Sequence, residues 1–132
     1  MKPITFTQYI SLAALLSVSG FSAMAQAATA QALLSGYSAT GNAARGQQLF
    51  TTRQGREWSC SSCHGTPPTQ TSKHASTGKP IAPLAPAFNV ERFTDSAKVE
   101  KWFRRNCNDV LGRPCSDTEK ADVITWLLTL KP

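Results

Sequence analysis

The sequence contains few methionines, histidines and cysteines, the side chains that usually bind transition metals, and it also contains few charged residues. Among 132 residues there are two methionines, at positions 1 and 24, two histidines and four cysteines. Charged residues make up only 17% of the chain, and the 14 Lys and Arg exceed the 8 Asp and Glu. With 41% hydrophobic residues, this composition is typical of one small globular domain. It excludes collagen-like, disordered and coiled-coil chains.

The N-terminal segment has the features of a secretory signal peptide. Lys2 is followed by an apolar stretch over residues 10–18 and by an Ala-Gln-Ala site ending at Ala27. An uncleaved membrane anchor is the alternative, but serines interrupt the apolar stretch, which is shorter than the ~20 residues that a spanning helix needs. We therefore expect a signal peptide at 1–27 and a periplasmic domain at 28–132, with no stable membrane insertion after cleavage.

The remaining chain predicts helices joined by long loops. No segment alternates long enough to predict a strand, and five prolines exclude long helices between Thr52 and Val90. Such a long irregular stretch needs something else to organise it. The fold class is therefore all-α with long loops. The predicted helices are Ala28–Tyr37, Ala43–Thr52 after the N-cap Asn42, about Thr94–Arg105 after the N-cap Thr94, and a last helix after the capping box Ser116–Glu119.

The strongest motif is Cys-Ser-Ser-Cys-His at residues 60–64. The pattern C-x-x-C-H indicates covalent attachment of a c-type haem. Two thiols separated by two residues can each add to a vinyl group of one porphyrin, and the adjacent histidine supplies an axial nitrogen to the iron. We expect Cys60 and Cys63 to form the thioethers of one haem c and His64 to be the proximal ligand. A bound haem also accounts for the proline-rich loop. The Pro83 carbonyl is the predicted acceptor for the other ring nitrogen of His64, and the alternative is that these prolines only stiffen the loop.

Three other interpretations of these cysteines fit the sequence less well. A redox dithiol normally lies within a βαβ pattern, which is missing here. A zinc site would need Cys107 and Cys115 as well, but these two lack the usual short ligand spacing. A disulfide between Cys60 and Cys63 would leave the proline-rich loop without an organising group.

The second axial ligand is not fixed by the residues alone. Cytochromes that transfer electrons often use methionine, but no methionine follows residue 24. The remaining candidates are His74, Lys73, Lys79, an amide oxygen, water or an open position. Cys107 and Cys115 can form a disulfide in an oxidising compartment, which would hold Asn106 and Asn108 at the end of the third helix.

Several segments together resemble the sphaeroides haem protein family of monohaem cytochromes c. Gly46 and Phe50, the haem motif and an aromatic C-terminal helix are similar to the cytochrome c fold in general. The narrower resemblance lies in residues 77–86, 92–95 and 98–102, and in Arg-Asn-Cys-Asn at 105–108 followed by Gly112, Arg113 and Cys115.

The resemblance implies an unusual second ligand. Members of the family are high-spin cytochromes c whose sixth ligand is an asparagine just before the first cysteine of a disulfide. On this sequence the ligand is Asn106, with Asn108 as the nearby alternative, and the disulfide joins Cys107 and Cys115. The family also implies reversible binding of O2, NO or CO to ferrous iron after Asn106 dissociates, and a dihaem cytochrome c or a membrane cytochrome b as redox partner.

Two alternative functions are also compatible with the sequence. One is a haem enzyme that processes NO or O2, such as an NO dioxygenase or a reductase, although the sequence offers no separate acid–base pair. The other is a plain bis-histidine electron carrier that uses His74. We expect no nucleic-acid partner, because an exported chain with no recognition motif does not fit that class.

Overall fold

The computed structural model describes residues 29–37 and 39–132, so the predicted signal peptide at 1–27 lies outside the described residues. The described residues confirm the all-α fold class. Across these ranges, no helix is long and apolar enough to cross a membrane. The helices are α1, described at 29–36, α2 at Ala43–Thr51, α3 at Cys60–His64, α4 at Ser96–Leu111 and α5 at Asp117–Thr129.

The core forms where α2 packs against α5. Gly46 and Phe50 are the buried residues of α2, four positions apart on one face as the sequence predicts. A side chain at position 46 would overlap the backbone of Asp122, so only glycine allows the two helices to approach this closely. Beside this contact, the rings of Phe50 and Trp126 lie 4.9 Å apart between centroids.

A buried carboxylate joins the two helices at the start of α2. The Asn42 side chain caps α2 by accepting the Arg45 N–H, as predicted. The backbone N–H of Asn42 in turn donates to Asp122 at 2.6 Å, and the Arg45 guanidinium binds the same carboxylate at 2.7 and 2.8 Å. Because Asp122 is buried, these three hydrogen bonds offset the cost of removing its charge from water.

Helix α4 begins later and ends later than the sequence predicts. Its N-cap is Asp95, which accepts the Lys98 N–H, whereas the hydroxyl of the predicted cap Thr94 donates to the Glu91 carbonyl. The predicted end at Arg105 is also wrong. The helix continues to Leu111 and is capped by Gly112, which adopts the left-handed conformation (φ 72°) that glycine tolerates and that commonly ends a helix.

The proline-rich stretch is organised by short elements rather than by a long helix. Strand β1 at Ser72–Lys73 pairs antiparallel with β2 at Pro80–Ile81, and a 3-10 turn follows at Pro86–Phe88. The Pro68 carbonyl accepts the N–H groups of both Leu84 and Ala85. The stretch is thereby closed back on itself next to α3, which carries the haem motif.

Candidate haem site

The serines of the haem motif shape the helix that carries it. Ser59 is buried and precedes the first turn of α3. Its N–H donates to the Ser62 hydroxyl at 3.0 Å, and its own hydroxyl lies 2.8 Å from that of Ser61. The turn places Cys60 and Cys63 three residues apart on one side of α3. Both thiols are free of disulfide bonds and half-buried, so they remain available for covalent attachment.

His64, at the end of α3, is held as a neutral imidazole. Burial lowers the pKa of His64 to about 4, and the neighbouring positive charge of Arg92 acts in the same direction. In the described part of the chain, neither ring nitrogen has a hydrogen-bond partner, and Nδ1 is fully buried. A neutral ring keeps a lone pair for a metal, and a buried nitrogen without a partner is unusual unless a further group completes the site.

The predicted hydrogen bond from His64 to the Pro83 carbonyl is wrong. That carbonyl instead accepts from Asn89 Nδ2 at 3.1 Å and from Arg92 Nε at 2.8 Å. Arg92 also donates to the Ala82 carbonyl. Two donors that follow closely in the chain therefore occupy the predicted acceptor, whose oxygen has two lone pairs.

The loop after α3 is tied to the second cysteine. The Ser72 hydroxyl donates to the Cys63 carbonyl at 2.7 Å, and the Ala75 N–H points to the Cys63 sulfur at 3.3 Å. The first cysteine has a different environment, because burial raises the pKa of the Cys60 thiol to about 11. A redox dithiol needs a depressed thiol pKa, so the environment of Cys60 does not favour that interpretation.

His74 lies close to this motif, but its ring is engaged elsewhere. Its Nδ1 accepts the backbone N–H groups of Ser76 and Thr77, each at 3.3 Å. A neutral ring that accepts at Nδ1 carries its proton on Nε2. Neither nitrogen then has a lone pair available for iron, which does not favour the bis-histidine alternative.

Asn106 lies on the inward side of α4. It follows Val99 and Phe103 and precedes Val110 at helical spacing, and these apolar residues are half-buried or buried. The Asn106 side chain is half-buried, and no hydrogen bond from the described ranges reaches its amide. Asn108 is exposed on another side of the helix.

A disulfide joins the residue after Asn106 to the loop before α5. Cys107 is buried and bonded to Cys115, with their Cα atoms 5.6 Å apart. This bond removes two thiols from the four-cysteine zinc interpretation. In the part of the chain that the structure describes, no group of three or more His, Cys, Asp and Glu side chains could hold a metal ion.

These observations fit a covalently bound haem. Two free thiols, a neutral imidazole with an unpartnered buried nitrogen and an unpartnered amide are the donors that such a group would use. Half-buried Leu84 and Phe103 add apolar surface beside the core. Arg92 is half-buried with its pKa lowered by burial, and the described residues place no carboxylate within ion-pair distance of it.

Comparison with known proteins identifies the family. Residues 37–127 match the family described as a domain of unknown function, DUF1924. The cytochrome c-type protein SHP of Cereibacter sphaeroides is 51% identical over 90 residues, which are 65% of this chain and 69% of that protein.

Two solved structures share the fold over nearly their whole length. Oxidised SHP, described as an oxygen-binding cytochrome c, is 43% identical with a TM-score of 0.69, over 80% of this chain and 96% of that one. The solution structure of cytochrome c'' from Methylophilus methylotrophus, described as giving insights into haem-ligand detachment, is 38% identical with a TM-score of 0.67, over 80% and 96%. The chain therefore belongs to the DUF1924 and sphaeroides haem protein family of monohaem cytochromes c, and it carries one covalently bound haem c.

Proposed function

We propose that this protein is a periplasmic electron-transfer cytochrome whose iron exchanges Asn106 for a small diatomic molecule when it is reduced. Cys60 and Cys63 would hold the haem through thioethers, and His64 and Asn106 would supply an imidazole nitrogen and an amide oxygen to its iron. When bound, the haem supplies an iron that shuttles between ferric and ferrous states and accepts O2, NO or CO at an open position. The observation that carries the proposal is the half-buried, unpartnered amide of Asn106 on the inward side of α4.

The other candidate ligands fit less well. Lys73 and Lys79 are exposed on the β1–β2 ribbon, beside the cysteine motif rather than on α4. His74 uses its Nδ1 lone pair on backbone N–H groups. Asn108 is exposed. Among the asparagines of α4, Asn106 is thus the better placed.

The chemistry of an amide ligand explains why it would be released. An amide oxygen is a neutral, hard and weak donor, which suits ferric iron better than ferrous iron. Reduction therefore favours dissociation of Asn106. The descriptions of two relatives support release of a haem ligand. One is described as an oxygen-binding cytochrome c and the other in terms of haem-ligand detachment.

Anchors on α4 favour release by rotation of the Asn106 side chain rather than by movement of the helix. Glu100, in the middle of α4, accepts the Tyr37 hydroxyl at 2.6 Å and the Lys120 ammonium at 2.8 Å. The disulfide of Cys107 fixes the helix one residue after the ligand. Because α4 is anchored both before and after Asn106, rotation of the Asn106 side chain is the least costly motion that releases the ligand.

Arg92 is the residue best suited to the acidic substituents that a haem carries. Its guanidinium is oriented by the carbonyls of Ala82 and Pro83. Because no carboxylate of the described chain pairs with it, an acid brought by the cofactor would neutralise a half-buried charge.

The ligand assignment is tested by comparing Asn106→Ala with Asn108→Ala in the full-length, haem-loaded protein. We expect the ferric absorption spectrum of Asn106→Ala to change to that of iron with water or no sixth ligand, while reduced iron still binds CO. Asn108→Ala is the matched control on the same helix and should leave the ferric spectrum unchanged. An unchanged ferric spectrum in Asn106→Ala would show that the assignment is wrong.

The periplasmic location belongs to the same proposal and has a separate test. The mass of the protein isolated from the periplasm should correspond to residues 28–132 with one haem attached. A haem-loaded protein that retains residues 1–27 and sediments with membranes would contradict signal-peptide cleavage.

A further inference from the structure

The side of α4 that faces away from the core presents cations around an exposed tryptophan. Lys98, Lys101, Trp102 and Arg105 follow the i, i+3, i+4 and i+7 spacing of one helical face, and we call them the basic stripe. All four are exposed, and Trp102 retains 44% of its surface. The sequence predicts Trp102 on the apolar face with Val99 and Phe103, but only those two pack against the core.

The charges of the basic stripe are not neutralised by neighbouring acids. Ion pairs in the described ranges use Arg45, Arg113 and Lys120, and none involves a residue of the stripe. The acids of α4 nearest to Lys98 and Lys101 are engaged elsewhere, because Asp95 caps the helix and Glu100 binds Tyr37 and Lys120. Asp109 is the one exposed acid further along. The stripe therefore keeps a local positive potential.

Trp102 and Arg105 form a pair typical of protein interfaces. The Arg105 guanidinium lies 5.3 Å from the centre of the Trp102 ring, which is a cation–π contact. Trp and Arg are the residues that most often dominate binding energy at interfaces. Covering an exposed aromatic ring contributes binding free energy, whereas an exposed lysine alone contributes little.

The basic stripe is next to the proposed ligand. Trp102 lies one helical turn before Asn106, and Arg105 directly precedes it. A partner that covers the stripe would come close to the side of the iron that Asn106 is proposed to occupy. Electron transfer slows steeply with distance, so this position favours a redox role over simple adhesion.

We propose that the basic stripe is the docking surface of an acidic redox protein that reduces this cytochrome. The inference rests on the proposed electron-transfer function. The opposite charges steer the two proteins together. One electron would then pass from the partner, which loses it, to the ferric iron, which becomes ferrous. Charge complementarity mainly raises association rates and makes them depend on salt. A small, transient interface of less than about 1,200 Å² suits such an encounter.

The test uses the full-length, haem-loaded protein and reduced plant-type [2Fe–2S] ferredoxin as an acidic electron donor, mixed anaerobically in a stopped-flow instrument. At low salt we expect Lys98→Glu with Lys101→Glu to slow haem reduction about tenfold and to remove most of its salt dependence. The matched control is Arg53→Glu with Lys131→Glu. It reverses two exposed cations elsewhere and should change the rate far less. Trp102→Ala should slow reduction without changing the salt dependence.

Folding and alternatives are checked alongside. The milder double variant Lys98→Gln with Lys101→Gln should slow haem reduction less. It replaces the charge-reversal variant in the measurement if that variant disturbs the helix. Equal slowing by stripe and control variants, or slowing by neither, would overturn the proposal. So would loss of binding to phosphatidylserine vesicles in the stripe variants with unchanged reduction rates, because the stripe would then bind membranes. An unchanged ferric spectrum in Asn106→Ala would contradict the proposed iron ligand while leaving these rates interpretable.

Discussion

At the residue scale, the histidine that is not in the haem motif has a structural role. The Nδ1 atom of His74 accepts two backbone N–H groups of the turn that links β1 and β2. We therefore expect His74→Ala to loosen that turn without changing the iron ligands. The ferric and ferrous absorption spectra of the variant should match those of the unmodified protein. Conversion of either spectrum from one spin state to another would restore the bis-histidine interpretation.

Glu119 makes stability depend on pH at the start of α5. Arg113 donates two hydrogen bonds to this carboxylate, at 2.8 and 2.7 Å, and the pKa of Glu119 lies below its usual range, mainly because of this contact. A lowered folded-state pKa means that the stabilisation is present above the unfolded value of about 4.3 and is lost as the pH falls through the folded value.

Glu119→Gln tests this dependence. We expect the variant to be less stable at pH 7 by under about 1 kcal/mol, because the ion pair is largely exposed. The difference should disappear in acid below the folded pKa, where Glu119 is also neutral. Urea unfolding at several pH values measures it, and a difference that stays constant into strong acid would contradict the role of the ion pair.

Single residues show where sequence reasoning succeeds and where it stops. The Asn42 cap and the Ser116–Glu119 capping box are local patterns, and the structure has both. The sequence predicts Val99, Trp102 and Phe103 on one apolar face of α4, yet only Val99 and Phe103 pack against the core and Trp102 is exposed. The sequence predicts that the Pro83 carbonyl accepts from His64, but in the folded chain Asn89 and Arg92 donate to it instead. Spacing along a chain does not reveal such competition.

At the element scale, the approach of α2 to α5 depends on the absence of one side chain. A Cβ atom at Gly46 would overlap the backbone of Asp122, which has no flexible end to move aside. We expect Gly46→Ala to destabilise the protein by about 1–3 kcal/mol.

Gly36→Ala is the matched control, since a Cβ there meets nothing within 4 Å. Its effect should stay within about 1 kcal/mol and be stabilising if anything, because alanine favours helix over glycine. Chemical unfolding of both haem-loaded variants makes the comparison. Equal stability of the two would mean that the helices do not pack closely at position 46.

Helix α4 illustrates why boundaries are harder to predict than helices. Thr94 and Asp95 are both good caps, and the sequence alone does not say which side chain reaches the free N–H groups. The sequence predicts an end at about Arg105, but nothing before Gly112 breaks the helix. The difference matters, because Asn106 thereby belongs to a rigid element instead of its frayed end.

At the scale of the whole molecule, a small core leaves room for a cofactor to complete the fold. The buried cluster is built mainly around Phe50, Ile124, Trp126 and Leu127. The stretch between α2 and α4 contributes short elements that are tied to one another by backbone hydrogen bonds. The haem motif, the all-α class and the absence of any methionine after residue 24 could be read from the sequence. The course of the loop could not, because it depends on contacts that close only in the folded chain.

The central claim is that the iron has a weak ligand on the side opposite His64. The most direct measurement is the absorption spectrum of the purified protein, first ferric and then reduced with dithionite, with and without CO. We predict a high-spin ferrous spectrum that shifts when CO is added, because the proposed ligand Asn106 would dissociate on reduction. A low-spin ferrous spectrum that does not respond to CO would show a strong sixth ligand and would contradict this account.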